Sequence, residues 1–250
     1  MKIAQKVIEA YMLGNYYTNK NDKLRYDSDT ECIYDSSGTL IAEFRSLEDE
    51  RGNYQLFLVV NDFTIPTNKT WEKYKLELAR AANEAGLRVV LEQLDIGFGK
   101  QKIIVDKDEL CKHLIKIAKY SQDNDVQTSV RVSNNEYCVY TYNQLVNGEF
   151  MHAEQVALDF LKLSYRDSSR QREHIYCLYE PCEKCLSLMK YAESIIIHHV
   201  HKKKWETQAY RTLFFDIKNG RVRNVFDRKI FICFEKNKLV DKFYKGKVNI

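Results

Sequence analysis

His152, Glu154, Cys182 and Cys185 are the residues of this chain whose types and spacing could do chemistry together. They stand in two short runs, Met151-His152-Ala153-Glu154-Gln155 and Glu180-Pro181-Cys182-Glu183-Lys184-Cys185. One imidazole and two thiolates are three nitrogen and sulfur ligands for Zn2+, one fewer than a closed structural site uses, so a corner of the tetrahedron is left for water. Zinc brings the pKa of a bound water down to about 7, and the resulting hydroxide can attack an amidine-like ring carbon, C4 of cytosine or C6 of adenine. Ammonia must then leave. Glu154 remains free to take the proton from the water and deliver it to the ring nitrogen and the departing amine, serving as base and then as acid. The chemistry implied is hydrolytic deamination of a nucleobase.

Such groups need rigid mounts. Met151 to Leu158 reads as a helix start, and Pro181 suits the first position of a second helix, where its missing N–H costs nothing. Cys182 and Cys185 would then lie in an opening turn, whose positive dipole end favours thiolate over thiol. A lone Cys-x-x-Cys is also found in zinc knuckles and redox pairs. The order His-x-Glu, about 30 residues, then Pro-Cys-x-x-Cys is far more specific to zinc deaminases. The chain has 2 prolines, and one of them is Pro181.

The flanking pattern predicts the elements that hold these mounts. Asp106 can cap a helix with Glu109 three residues on, Val105 and Leu110 have the spacing of a hydrophobic staple, and Leu110, Leu114 and Ile117 form its apolar stripe. Strands are predicted at Thr128–Val132 and Tyr137–Tyr142, then the His152 helix, a strand at Ile175–Tyr179, the Cys182 helix and a strand at Ser194–Val200. From Val200 to a last strand at Lys229–Phe234 there is room for a helix over Trp205–Ile217, so the last two strands can run parallel. The expected architecture is a three-layer α/β/α fold around a mixed five-stranded sheet.

The stretch 105–235 resembles the zinc-dependent cytidine deaminase superfamily, which includes nucleoside and deoxycytidylate deaminases, tRNA adenosine deaminases, AID and APOBEC-type polynucleotide deaminases and bacterial toxin deaminases. His152-Ala153-Glu154-Gln155-Val156-Ala157-Leu158 and Glu180-Pro181-Cys182-Glu183-Lys184-Cys185 with Met189 are most similar to the tRNA adenosine deaminase version. That family's glycine-rich, proline-containing run ahead of the His is replaced here by residues 142–150. The resemblance implies a cytidine-deaminase-like fold, zinc held by His152, Cys182 and Cys185, and Glu154 as the catalytic carboxylate. It places Asn143, with Asn147 in reserve, where relatives contact the nucleoside. The backbone N–H of Ala153 and the ring of Tyr179 stand where relatives read the base. A parallel last pair of strands would group the chain with the tRNA-editing, deoxycytidylate and polynucleotide deaminases.

Charge bears on the substrate. The net charge is +4, yet residues 201–250 hold 14 Lys and Arg against 5 Asp and Glu, so the rest of the chain is net acidic. Lys202, Lys203, Lys204, Arg221 and Arg223 are interleaved with Trp205, Tyr210 and Phe226, a combination suited to phosphate attraction and base stacking. The expected reaction is therefore cytosine to uracil in single-stranded DNA or RNA, nucleic acid being the partner. Open alternatives are free deoxycytidylate, adenine in RNA, and an inactive deaminase fold that only binds nucleic acid. His198, His199 and His201 are given no metal role, because alternation along a strand turns His198 and His199 to opposite faces.

Residues 1–100 read as a small α+β domain without a catalytic constellation, and 101–250 as the deaminase domain with its basic end. In the first, a helix over residues 3–17 precedes strands at Cys32–Tyr34, Thr39–Phe44 and Tyr54–Val60, a helix from Thr70 to Ala85 with Trp71, Tyr74, Leu78 and Ala81 as its stripe, and a strand at Leu87–Leu91. Gly97 and Gly99 interrupt the pattern near the boundary. The 7 cysteines are an odd number, and Cys32, Cys138, Cys177 and Cys233 fall in apolar strand-like runs, so a disulfide framework is not expected. No apolar run approaches the length of a membrane span and no secretory signal is evident, so a cytoplasmic location is expected.

Overall fold

The computed structural model describes residues 2–18, 23–62, 69–92, 107–121, 127–133, 137–165, 173–179, 181–189, 192, 194–199 and 229–232. Runs of Val, Ile, Leu and Tyr that alternate between two apolar faces build its strands. These are β1 (Leu24–Asp27), β2 (Cys32–Asp35), β3 (Leu40–Glu48), β4 (Tyr54–Asn61), β5 (Arg88–Glu92), β6 (Ser129–Ser133), β7 (Cys138–Tyr142), β8 (Gln144–Val146), β9 (Glu149–Met151), β10 (His174–Tyr179), β11 (Ser194–His199) and β12 (Lys229–Ile232). The helices are α1 (Ile3–Met12), α2 (Lys69–Glu84), α3 (Lys107–Ala118), α4 (Ala153–Ser164) and α5 (Glu183–Leu188).

Ten strands form one sheet in the order β1-β2-β3-β4-β5-β7-β6-β10-β11-β12, and β8 with β9 makes a separate hairpin. The five strands from β7 to β12 are mixed: β6 is antiparallel to β7 and β10, whereas β10, β11 and β12 run parallel. The N-terminal strands do not close a sheet of their own. β5 pairs antiparallel with β7, Leu91 opposite Tyr140 and Glu92 opposite Val139, so the first half of the chain continues the sheet of the second. A physical reason is that β7 would otherwise present an open edge.

Strict alternation splits the core into two layers. Leu58, Val60, Val89, Leu91, Tyr140 and Tyr142 face α1, α2 and α3, while Phe57, Val59, Val90, Val130, Val139 and Ile175 face α4 and α5. The stripes predicted for two helices are buried, Leu110, Leu114 and Ile117 on α3 and Leu78 and Ala81 on α2 with Tyr74 half-buried. Asp62, at the end of β4, ties α2 and α3 to the sheet. Its Oδ1 lies 3.3 Å from Lys75 Nζ and its Oδ2 2.7 Å from His113 Nε2. Burial alone would raise that carboxyl's pKa, but the His113 hydrogen bond and the Lys75 charge outweigh it and hold it below the usual carboxylate range.

Cys32, Cys138 and Cys177 are free and buried. The side chain of Trp71, the Val105 and Asp106 cap, the boundary around Gly97 and Gly99, Cys233, and the crossover with its helix over residues 205–217 lie outside the described residues. Among the described residues no helix is long and apolar enough to cross a membrane.

Two turns meet where the halves join. α2 ends at Gly86, with φ +83°, in a Schellman arrangement: Gly86 N–H donates to Asn83 C=O and Leu87 N–H to Ala82 C=O. Asn147 (φ 52°) and Gly148 (φ 80°) form the tight turn of the β8–β9 hairpin, both in the left-handed region that a type I′ turn requires. A Cβ on Gly86 would stand 2.2 Å from Asn147 Oδ1. Gly86→Ala is therefore expected to cost about 1–3 kcal/mol from the left-handed backbone alone, before the clash. Chemical denaturation would read this as a lower midpoint at unchanged slope, and a wild-type midpoint would refute it.

Candidate metal and catalytic site

The His-x-Glu run opens α4. His152 is its N-cap, with extended backbone (φ −71°, ψ 147°), and its carbonyl accepts the first helical bond from Val156 N–H. Glu154 therefore stands in the first turn and is buried, at 4% exposure. β10 ends at Tyr179, and the chain passes through buried Pro181 into α5, which begins at Glu183. The helix thus starts later than the sequence suggested. Pro181 lies outside it, Cys182 stands just before its first residue, and Cys185 is in its first turn and buried.

These segments bring three donor atoms together. His152 Nδ1 is 3.6 Å from Cys182 Sγ and 3.4 Å from Cys185 Sγ. A nitrogen at about 2.0 Å and a sulfur at about 2.3 Å from one tetrahedral zinc lie about 3.5 Å apart, so both edges have the length that zinc demands. Among the described residues this is the one group of three or more potential ligands within reach of a common ion. Nδ1 faces both sulfurs, which leaves Nε2 to carry the ring proton if the metal is bound. The cluster grades from exposed His152 through Cys182 to buried Cys185, so it opens to solvent on its histidine side.

The electrostatics of the thiols differ from the sequence expectation. Burial pushes the Cys185 thiol well above its ordinary value, and the neighbouring Glu154 carboxylate and Cys182 push it further. Cys177, on β10, is raised in the same way, by burial and then by Glu154 and Cys185. The helix end does not offset these effects. A thiolate at Cys185 therefore calls for a cation, and a divalent metal reverses the local preference. The donor set and its geometry fit zinc.

Of the remaining predicted residues, Asn143 meets the start of α4. Asn143 follows β7 and is buried, and its Oδ1 accepts the Ala153 backbone N–H at 2.9 Å. Asn143 thus satisfies the first amide of α4. Asn147 is in the hairpin turn, its side chain against Gly86. Tyr179 is 39% exposed at the end of β10. Lys202, Lys203, Lys204, Arg221 and Arg223 lie outside the described residues.

Residues of the first half also hold α4, a role the sequence did not reveal. Arg88 is 3.1 Å from Asp159, Phe57 meets Phe160 edge to face at 5.2 Å between ring centres, and the Arg45 guanidinium lies 5.5 Å over the Phe160 ring. Arg45 also bonds buried Glu92 at 2.8 Å, and Glu92 accepts the Tyr165 hydroxyl at 2.5 Å from the C-terminal end of the helix. Pairs this far apart in the chain carry no local sequence signal.

The three donors and the buried Glu154 carboxylate are the groups that zinc-assisted hydrolytic deamination requires. Residues 105–200 match the family described as the cytidine and deoxycytidylate deaminase zinc-binding region. No curated protein matches the chain. Among solved structures it is similar to the dCMP deaminase of cyanophage S-TIM5, with 14% identity and a TM-score of 0.35 over 51% of this chain and 99% of that one. It is also similar to a guanine deaminase from Nitrosomonas europaea, with 12% identity and a TM-score of 0.38 over 60% of this chain and 91% of that one.

Proposed function

We propose that the protein converts cytosine to uracil in single-stranded DNA or RNA, with His152, Cys182 and Cys185 as zinc ligands and Glu154 as the proton carrier. The observation that carries the catalytic part is the pair of nitrogen–sulfur edges, 3.6 and 3.4 Å, beside a buried carboxylate. Zinc bound there would supply a water that ionises near neutral pH. Glu154 would accept that proton and return it to the ring nitrogen and the leaving amine. A carboxylate held out of bulk water loses no proton to solvent between the two transfers. Tyr179, exposed at the end of β10, would present its ring to the base, and Asn143 with the Ala153 amide would fix the entrance to α4.

Two observations bear on the substrate, and the second favours a polymer. The parallel pairing of β11 with β12 is the arrangement that the resemblance associates with nucleotide, tRNA-editing and polynucleotide deaminases. The last 50 residues carry 14 Lys and Arg against 5 Asp and Glu, more than one phosphate needs. We further propose residues 1–100 and 101–250 as two units of sequence that share one sheet. A second reading, deamination of free deoxycytidylate, is favoured by the family description over residues 105–200.

Salt dependence separates the two. If Lys202, Lys203, Lys204, Arg221 and Arg223 touch phosphates, binding of a single-stranded oligonucleotide should weaken steeply with salt. Changing all five to Gln should reduce the log–log slope by about 0.7 per lost contact while leaving deamination of deoxycytidylate unchanged. Equal oligonucleotide activity of wild type and the five-fold variant across salt concentrations would favour the free nucleotide.

A further inference from the structure

The ladder that joins the two halves of the sheet is short, and a side chain continues it. Beyond the pairing of Leu91 with Tyr140 towards Val89, the Gln144 amide takes the place of a strand neighbour. Its Oε1 accepts Val89 N–H at 2.8 Å and its Nε2 donates to Val89 C=O at 2.5 Å. The same Oε1 accepts Asn83 Nδ2 at 2.9 Å, and the same Nε2 donates to Thr141 Oγ1 at 2.8 Å. Thr141 in turn donates to Val89 C=O, Asn83 donates to Leu87 C=O, and the Tyr142 hydroxyl donates to Asn83 Oδ1. Asn83, Thr141, Tyr142 and Gln144 are each exposed by 2% or less. Both lone pairs and both N–H groups of Gln144 are therefore used in a site without bulk water. Such a satisfied buried network holds one geometry, because every alternative leaves a polar group without a partner.

Gln144 is next in sequence to Asn143, whose Oδ1 holds the Ala153 amide. Ala153 lies between His152 and Glu154. A continuous chain of contacts thus runs from α2 and β5, in the first hundred residues, through Gln144 and Asn143 to the first turn of α4. The contact of Asn147 with Gly86 clamps the adjoining hairpin to the same α2–β5 turn.

We infer that the N-terminal α/β segment is a positioning element of the deaminase centre and acts through Gln144, locked by Asn83 and Val89, to fix where α4 presents His152 and Glu154. This rests on the reading of His152 as a zinc ligand and Glu154 as the proton carrier. Gln144 touches no reacting atom. Its effect is to hold Asn143, and through it the helix start, in a single register against the Cys182 segment. A small displacement of a catalytic group is costly because proton transfer and attack depend on near-contact geometry.

The test uses the full chain with Gln144→Ala, Asn83→Ala and the double variant, loaded with zinc or with cobalt, well below the unfolding temperature. Deoxycytidylate and a cytosine-containing single-stranded oligonucleotide serve as substrates. Gln144→Ala should lose about 10- to 100-fold in kcat with KM changed by less than about threefold, and the visible spectrum of the cobalt form should shift. Asn83→Ala, which leaves Gln144 paired with Val89, should lose less, and the double variant should lose no more than Gln144→Ala, as expected for residues acting in one chain. Wild-type kcat and cobalt spectrum in Gln144→Ala, with only a lower unfolding temperature, would overturn the inference. If Gln144→Ala does not fold, wild-type kcat and spectrum in Asn83→Ala overturn it instead. Should wild type bind zinc yet deaminate neither substrate, the catalytic reading fails, and the cobalt spectra of the variants still decide the positioning.

Discussion

Glu154→Gln is expected to slow deamination by about 10²-fold or more while the protein keeps about one zinc per chain. The side chain is buried in the first turn of α4 and its carboxylate raises the Cys185 thiol. Glutamine keeps the size and removes the charge. The thiolate at Cys185 then forms more readily, so metal retention should be unchanged or improved. The proton carrier is lost, because an amide cannot accept the proton of the water. Steady-state kinetics beside elemental analysis separates these effects. A variant that loses its zinc and unfolds would make Glu154 a structural residue and remove the proposed proton path.

Cys185→Ala is expected to abolish zinc binding and activity together. Cys185 is 2% exposed and stands 3.4 Å from His152 Nδ1, so its removal leaves two donors, one of them on the solvent side. Two ligands do not hold zinc against a chelator, and binding a metal to the folded state alone stabilises it by mass action. After dialysis against a chelator the variant should hold less than about a tenth of an equivalent of metal, where three-ligand wild type keeps about one. Zinc retention should also fall as the pH falls, since protons compete for both thiols and for His152. A variant that stays loaded and active would remove Cys185 from the ligand set.

The parts of this molecule that are local could be read from the chain. Alternating apolar runs marked β2 to β7, β10 and β11, and the stripe of Leu110, Leu114 and Ile117 marked α3. The His-x-Glu and Cys-x-x-Cys runs singled out the three donors that the structure brings within 4.8 Å of one another. Other features were present in the sequence without being used. Asn147-Gly148 is a strong hairpin signal, and it builds the β8–β9 hairpin. β1 is four residues long, and its alternation is too brief to stand out. The rest is not local. No spacing rule says that β5 would continue the sheet beside β7, or that the Gln144 amide would pair with a backbone 55 residues away. Which histidine nitrogen faces the sulfurs, and that burial with Glu154 would outweigh the helix end at Cys185, depend on side chains meeting across α4 and α5.

The central claim is that the His152–Cys182–Cys185 centre performs hydrolytic deamination of a nucleobase. Its most direct test is mass spectrometry of the products formed by zinc-loaded wild type and Glu154→Gln in ¹⁸O-labelled water. Cytidine, deoxycytidylate, and single-stranded DNA and RNA containing cytosine should be offered. Expected is release of ammonia with one labelled oxygen in place of the amine, at a rate at least about 10²-fold higher for wild type than for Glu154→Gln. Conversion at equal rates by both proteins, or none on any substrate by zinc-loaded wild type, would contradict it.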